Sequence, residues 1–120
     1  MIEIEATVIH GRKLGRDLGF PTANMAVESM CDVEYGVYRS SVVVDGVRYR
    51  AMSNLGVRPS VDGTELRLET HIIGYDGDLY GRRLKICLEE KLRDEQKFAT
   101  IAELREQLQR DYERVVAFGG

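Results

Sequence analysis

The sequence predicts a mainly β domain: a small antiparallel barrel with one helix appended at its C-terminal end. Three observations carry this expectation. Successive segments alternate apolar and polar residues with the period of a strand, tight turn sequences join them, and apolar spacing changes to threes and fours only after about residue 100. With 120 residues, the chain suits a single domain able to bury roughly two-thirds of its unfolded surface without disulfide or metal staples.

The first strand is read from Ile2, Ile4, Ala6 and Val8, which share one face, while Glu3, Glu5 and Thr7 share the other. The run from Gly11 to Gly19 is too glycine-rich for a helix and too polar for a strand interior, so it reads as a long loop. Tyr35 to Val44 and Val47 to Ser53 are rich in Val and Tyr and flank Asp45-Gly46, a strong two-residue hairpin signal. Leu66, Leu68, Thr70 and Ile72 alternate with Arg67, Glu69, His71 and Ile73 to give a fourth strand. A fifth is placed over Tyr80 to Glu89. Ile101, Leu104, Leu108, Tyr112 and Val115 then mark an amphipathic helix, with Thr100 and Glu103 as a capping box in front of it. The chain divides into a barrel over about 1–92 and a helix over about 100–117. An antiparallel sheet with one helix leaves strand edges open, and closure into a barrel removes them.

Composition narrows the function. Seventeen basic against 20 acidic residues give a net charge of −3, which argues against a nucleic-acid binder, since such a surface is strongly basic. No segment approaches the ~20 apolar residues of a membrane span, and the start of the chain lacks the apolar core of a signal peptide. The expectation is a cytoplasmic protein whose partners are small molecules. Cys31 and Cys87 lack paired spacing and have only His10 and His71 to join them, so they read as reduced thiols and not as a zinc site.

Four segments could carry chemistry. The loop holding Arg12, Lys13 and Arg16 between glycines reads either as a plain surface loop or as a cradle of amides and cations for phosphate oxygens, although it matches neither a P-loop nor a dinucleotide fingerprint. In Gly19-Phe20-Pro21-Thr22-Ala23-Asn24, Thr22 and Asn24 lie two apart on an extended segment. Their neutral oxygens suit a magnesium ion completed by phosphates and water, or equally a strand residue and a turn cap. Glu69 belongs either to a solvated polar face with Arg67 and His71 or to a general base held on a rigid strand. Leu92 to Phe98 could hold a planar ligand or simply enter the helix with Phe98 tucked into the core.

Taken together, Val8-Ile9-His10-Gly11, Gly15 to Asn24, Gly36-Val37-Tyr38, Asn54-Leu55-Gly56-Val57-Arg58-Pro59, Leu68-Glu69-Thr70-His71-Ile72, Asp78-Leu79-Tyr80-Gly81, Leu92-Arg93 with Lys97-Phe98, and Asp111 resemble the riboflavin kinase family, also found as the C-terminal half of bacterial bifunctional FAD synthetases. The resemblance implies a six-stranded Greek-key barrel with a C-terminal helix, one strand more than the pattern places. It implies ATP-dependent phosphorylation of the riboflavin ribityl 5′-hydroxyl to give FMN, with a non-catalytic flavin- or nucleotide-binding barrel as the alternative. It assigns Thr22 and Asn24 to magnesium (zinc or manganese as alternatives) and Glu69 to the base. Gly11, Arg16, Gly19, Thr22, Asn24, Ile72 and Tyr80 fall to ATP, and Arg93, Gln96 and Phe98 to the flavin. It further implies an FMN adenylyltransferase domain, linked or separate, as a partner, since one barrel and one helix leave no segment here for that second reaction. Ser60 and Gly74 depart from the family pattern. Ser60 keeps the hydroxyl of the commoner threonine, whereas Gly74 offers only backbone.

Overall fold

The computed structural model describes residues 1–11, 17–28 and 33–118. Six strands, β1 (Ile2–Ile9), β2 (Ala23–Val27), β3 (Gly36–Val44), β4 (Val47–Ser60), β5 (Gly63–Ile72) and β6 (Arg83–Arg93), precede one helix over Ile101–Ala117. The strands close into a barrel in the order β1-β2-β5-β4-β3-β6, every pairing antiparallel. Strands β3, β4 and β5 follow one another by hairpins and β6 returns beside β3, which is the Greek-key arrangement.

The alternation seen in sequence sets the inside of the barrel. Ile4, Ala6 and Val8 of β1, Met25 of β2, Leu55 of β4, Leu68 and Ile72 of β5, and Leu84, Ile86 and Leu88 of β6 form one buried cluster. Ser40, Ser53 and Thr70 also lie buried, and they satisfy one another in a hydroxyl chain with both links at 2.8 Å. Asp45 and Gly46 have φ of 52° and 82°, so both central residues of the β3–β4 turn are left-handed, as a two-residue hairpin with matching twist requires.

A second, smaller core lies outside the barrel wall. There Val115 of the helix packs with Leu18, Phe20 and Met52, and Leu104, Leu108 and Tyr112 join them. Thr100 caps the helix by accepting from the Glu103 amide at 3.1 Å, while Glu103 accepts from the Ala99 amide at 3.1 Å. Asp111, fully buried, takes Arg93 Nε at 3.0 Å, Arg93 Nη2 at 2.7 Å and Gln107 Nε2 at 3.0 Å, which moors the helix to the end of β6.

Some boundaries differ from the sequence expectation. The sixth strand is β2, whose first two residues end the Gly-Phe-Pro-Thr-Ala-Asn run. Strand β4 continues past Ser53 to Ser60 because its first half pairs with β3 and its second with β5. Strand β6 starts at Arg83, not Tyr80, after a turn in which Gly81 has φ of 82°, and it runs on to Arg93. Ile101, expected on the apolar face of the helix, is 58% exposed. Cys87 is a free, half-buried thiol, and Cys31 lies outside the described residues.

Candidate functional site

Two cavities open side by side. One, of about 560 Å³, sits at the mouth of the barrel between the end of β1, the start of β2, the end of β5 and the loop before β6, with His10, Gly11, Asn24, Ile72, Asp78 and Tyr80 in its wall. The other, of about 590 Å³, lies on the outer face of β4 and β5 beneath the β6–helix segment, with Asn54, Arg58, Glu69, Arg93, Gln96 and Phe98 in its wall. Thr22 lines both. Each volume falls in the range of about 300–1,000 Å³ usual for small-molecule sites.

In the first cavity, His10 and Tyr80 stack with ring centroids 3.8 Å apart and planes 13° from parallel. Tyr80 is held in place by its amide, which donates to Asp78 Oδ1 at 2.9 Å. Asn24 is buried, its Nδ2 turned to the Thr22 carbonyl at 3.4 Å, so its Oδ1 has no hydrogen-bond partner among the described residues. Gly11 crosses directly over it. A Cβ at Gly11 would collide with the Asn24 amide, so glycine is what allows the chain leaving β1 to pass so close. The backbone around Thr22 is fixed from the other side, where His71 Nδ1–H donates to the Pro21 carbonyl at 2.8 Å. Phe20 lies edge-on to the His71 ring at 5.5 Å, and Tyr112 of the helix is tilted to it at 6.5 Å. Burial among these rings pulls the His71 pKa below its ordinary value, with the Pro21 hydrogen bond opposing, so the ring is a neutral Nδ1–H donor.

In the second cavity, Glu69 stands directly across the ladder from Asn24 on one side and Asn54 on the other. Its carboxylate meets Arg58 Nη2 at 3.0 Å, and the same nitrogen meets Glu95 at 3.0 Å. Burial disfavours the Arg58 charge, but the two carboxylates outweigh it and its pKa is raised. Glu95 sits on Gly56, where any Cβ would strike its carboxylate, so the β6–helix segment is drawn down onto β4. The cationic partner of Glu69 is therefore Arg58, in place of the Arg67 and His71 that share its strand face.

Thr22, Asn24, Gly11, Ile72 and Tyr80, which the resemblance assigns together, all line the first cavity. Glu69, Arg93, Gln96 and Phe98 line the second. Gly19 is exposed in a turn with φ of 90° and lines neither. Arg16 lies outside the described residues. Arg93 spends Nε and Nη2 on Asp111 and Nη1 on the Asp94 carbonyl at 3.0 Å, so its hydrogen bonds here are to the protein. Sequence reasoning assigned no role to His10, Asn54, Arg58 or Glu95. Their partners are distant in the chain, and no local spacing announces them.

The donors offered to a divalent ion are the Thr22 hydroxyl and the orphaned Asn24 Oδ1, both neutral oxygens. Among the described residues no cluster of three or more His, Cys, Asp or Glu could hold a metal. The set fits a hard ion that takes most of its ligands from phosphate and water, as magnesium does.

The family model for riboflavin kinase matches residues 1–118. The chain is 42% identical over 109 residues to the bifunctional riboflavin kinase/FMN adenylyltransferase of Pseudomonas fluorescens and 40% identical to that of Escherichia coli strain K12. Each alignment covers 90% of this chain and 35% of the relative, so the chain spans about a third of those proteins. A crystal structure described as a macrolide-efflux protein from Streptococcus pneumoniae superposes with a TM-score of 0.86 at 31% identity, covering 98% of this chain and 39% of the other. A match that runs from the first strand to the end of the helix shows that the chain belongs to the riboflavin kinase family.

Proposed function

We propose that the protein transfers the γ-phosphoryl group of ATP to the ribityl 5′-hydroxyl of riboflavin, giving FMN and ADP. The observation that carries this reading is the shared wall at Thr22: two small-molecule cavities meet there, with Asn24 facing one and its ladder partner Glu69 facing the other. A donor on one side and an acceptor on the other can then meet in line, and phosphoryl transfer depends mainly on such positioning and on charge stabilisation.

In this reading the nucleotide lies in the mouth of the barrel. The His10–Tyr80 stack offers an aromatic wall, and Gly11 lets backbone approach the phosphates. A magnesium ion held by Thr22 and Asn24 would neutralise charge on the transferring phosphate when bound. The acceptor lies in the outer cavity against Phe98 and Gln96. Glu69 accepts the proton of the 5′-hydroxyl as its oxygen bonds to the γ-phosphorus and the bond from that phosphorus to the β,γ-bridging oxygen breaks, releasing ADP. Arg58 orients the Glu69 carboxylate, and His71 holds the Pro21 carbonyl so that Thr22 stays between the two substrates. The FMN formed passes to an adenylyltransferase, linked or separate, and the proposed setting is the cytoplasm.

Incubation with riboflavin, ATP and magnesium, followed by chromatography, is the test. FMN that forms only with nucleotide and divalent ion is the expected result. Folded protein that forms none with magnesium, zinc or manganese refutes the proposal.

A further inference from the structure

One row of side chains crosses three strands on the outer face of the barrel: Asn24 on β2, Glu69 on β5 and Asn54 on β4 stand directly opposite one another. Opposed residues in a ladder point to the same side, with Cβ atoms about 4.5–5.5 Å apart. The phosphorylation reading uses Asn24 and Glu69 and leaves Asn54 without work. Yet Asn54 Oδ1 is buried and has no hydrogen-bond partner among the described residues, and Asn54 lines the acceptor cavity with Glu69. The side-chain donors nearest to it on its own strand are engaged elsewhere: Ser53 with Ser40 and Thr70, Arg50 with the Val116 and Phe118 carbonyls, and Arg58 with Glu69, Glu95 and the Val57 carbonyl. Buried amide oxygens are almost always paired, so an unpaired one on a residue lining a ligand cavity calls for a donor from the ligand.

We propose that Asn54 is a specificity-determining residue for the acceptor, its Oδ1 accepting a hydrogen bond from the hydroxyl on the carbon next to the one phosphorylated. Glu69 and Asn54 together then read a terminal vicinal diol. The inference rests on the kinase reading, because Glu69 must hold the reacting hydroxyl for its neighbour to fall at Asn54. The imide N–H of the flavin ring, the other kind of donor riboflavin offers, lies at the far end of the molecule from the reacting hydroxyl. Asn54, by contrast, is the immediate cross-strand neighbour of Glu69.

The test compares riboflavin with its 4′-deoxy analogue in the wild-type chain and in Asn54→Leu, which keeps the size of the side chain and removes its polar atoms. The wild type should favour riboflavin in kcat/KM by roughly 10–100-fold, since a site built around a hydrogen bond rejects the ligand that lacks it. Asn54→Leu should lose most of that preference. Quenching of flavin fluorescence gives the same comparison without turnover. Ligand-free Asn54→Leu should unfold at or above the wild-type midpoint, because an unpaired buried oxygen is replaced by an apolar group. An unchanged preference in the variant overturns the inference, and so does a midpoint several degrees lower, which would make Asn54 a structural residue. A wild-type chain that neither binds nor phosphorylates riboflavin overturns the kinase reading itself, and the inference with it.

Discussion

Replacing Asp111 by alanine should unmoor the helix. The Asp111 side chain is 1% exposed and that of Arg93 16% exposed, with their closest approach at 2.7 Å. Alanine there leaves the Arg93 guanidinium in a mostly dry place without its carboxylate, and removing one partner of such a pair typically costs about 3–5 kcal/mol. Unfolding entropy near the midpoint is about 2.1 cal/mol/K per residue, so the 120 residues correspond to about 0.25 kcal/mol/K. The midpoint should therefore fall by about 12–20 °C. The double variant Arg93→Met with Asp111→Leu removes both charges and should recover most of the loss, because paired apolar replacements of buried ion pairs are close to neutral. Thermal and urea unfolding followed by circular dichroism measure both. A single variant that loses less than about 1 kcal/mol, or a double variant no better than the single, would show that the pair does not carry the attachment of the helix.

Three further outcomes are expected. Glu69→Gln should lower kcat by about 10²–10⁴-fold with the unfolding midpoint little changed, and near-normal turnover would mean that another group takes the hydroxyl proton. Gly11→Ala should push against the Asn24 amide and raise the magnesium concentration needed for half-maximal FMN formation. A magnesium dependence equal to that of the wild type counts against Asn24 as the ion's oxygen. Because the His71 pKa is depressed on folding by burial, the unfolded chain takes up this proton more readily. Stability should therefore be full above the ordinary histidine pKa of about 6.5 and fall as pH drops below it. Urea titrations of the wild type and His71→Gln at a series of pH values check this, and the variant should lack that part of the slope.

Much of the barrel is written in local patterns. The alternation of β1 and β5, the Asp45-Gly46 turn and the Thr100–Glu103 cap each depend on residues close in the chain, so period and turn chemistry reveal them. Strand β2 escapes because it has five residues, and its outward Asn24 is buried by Gly11 from another segment. The end of β4 escapes because Pro59 reads as a breaker. It is tolerated there because β3 pairs with β4 only as far as Leu55, leaving one edge of Pro59 free. The site divides along the same line. Thr22, Asn24, Glu69 and Tyr80 stand in compact motifs that sequence makes visible. The Arg58 bridge to Glu95, the His10–Tyr80 stack and the His71 hold on Pro21 join residues 37, 70 and 50 positions apart, and only the closed barrel brings them together.

Placing Asn24, Glu69 and Asn54 in one row across three neighbouring strands ties the proposed chemistry to strand alignment. Their mutual spacing is that of hydrogen-bonded backbone, so it does not depend on the conformation of any loop. The same arrangement makes misalignment conspicuous. A shift of β5 by one residue would turn Glu69 into the packed interior and bring Leu68 out beneath the substrate. Such a form would bury an unpartnered carboxylate and expose a leucine, so it would be unstable as well as inactive. A chain that has folded with its interior correctly filled has therefore also set its three polar groups in line, and folding itself checks the geometry of the site.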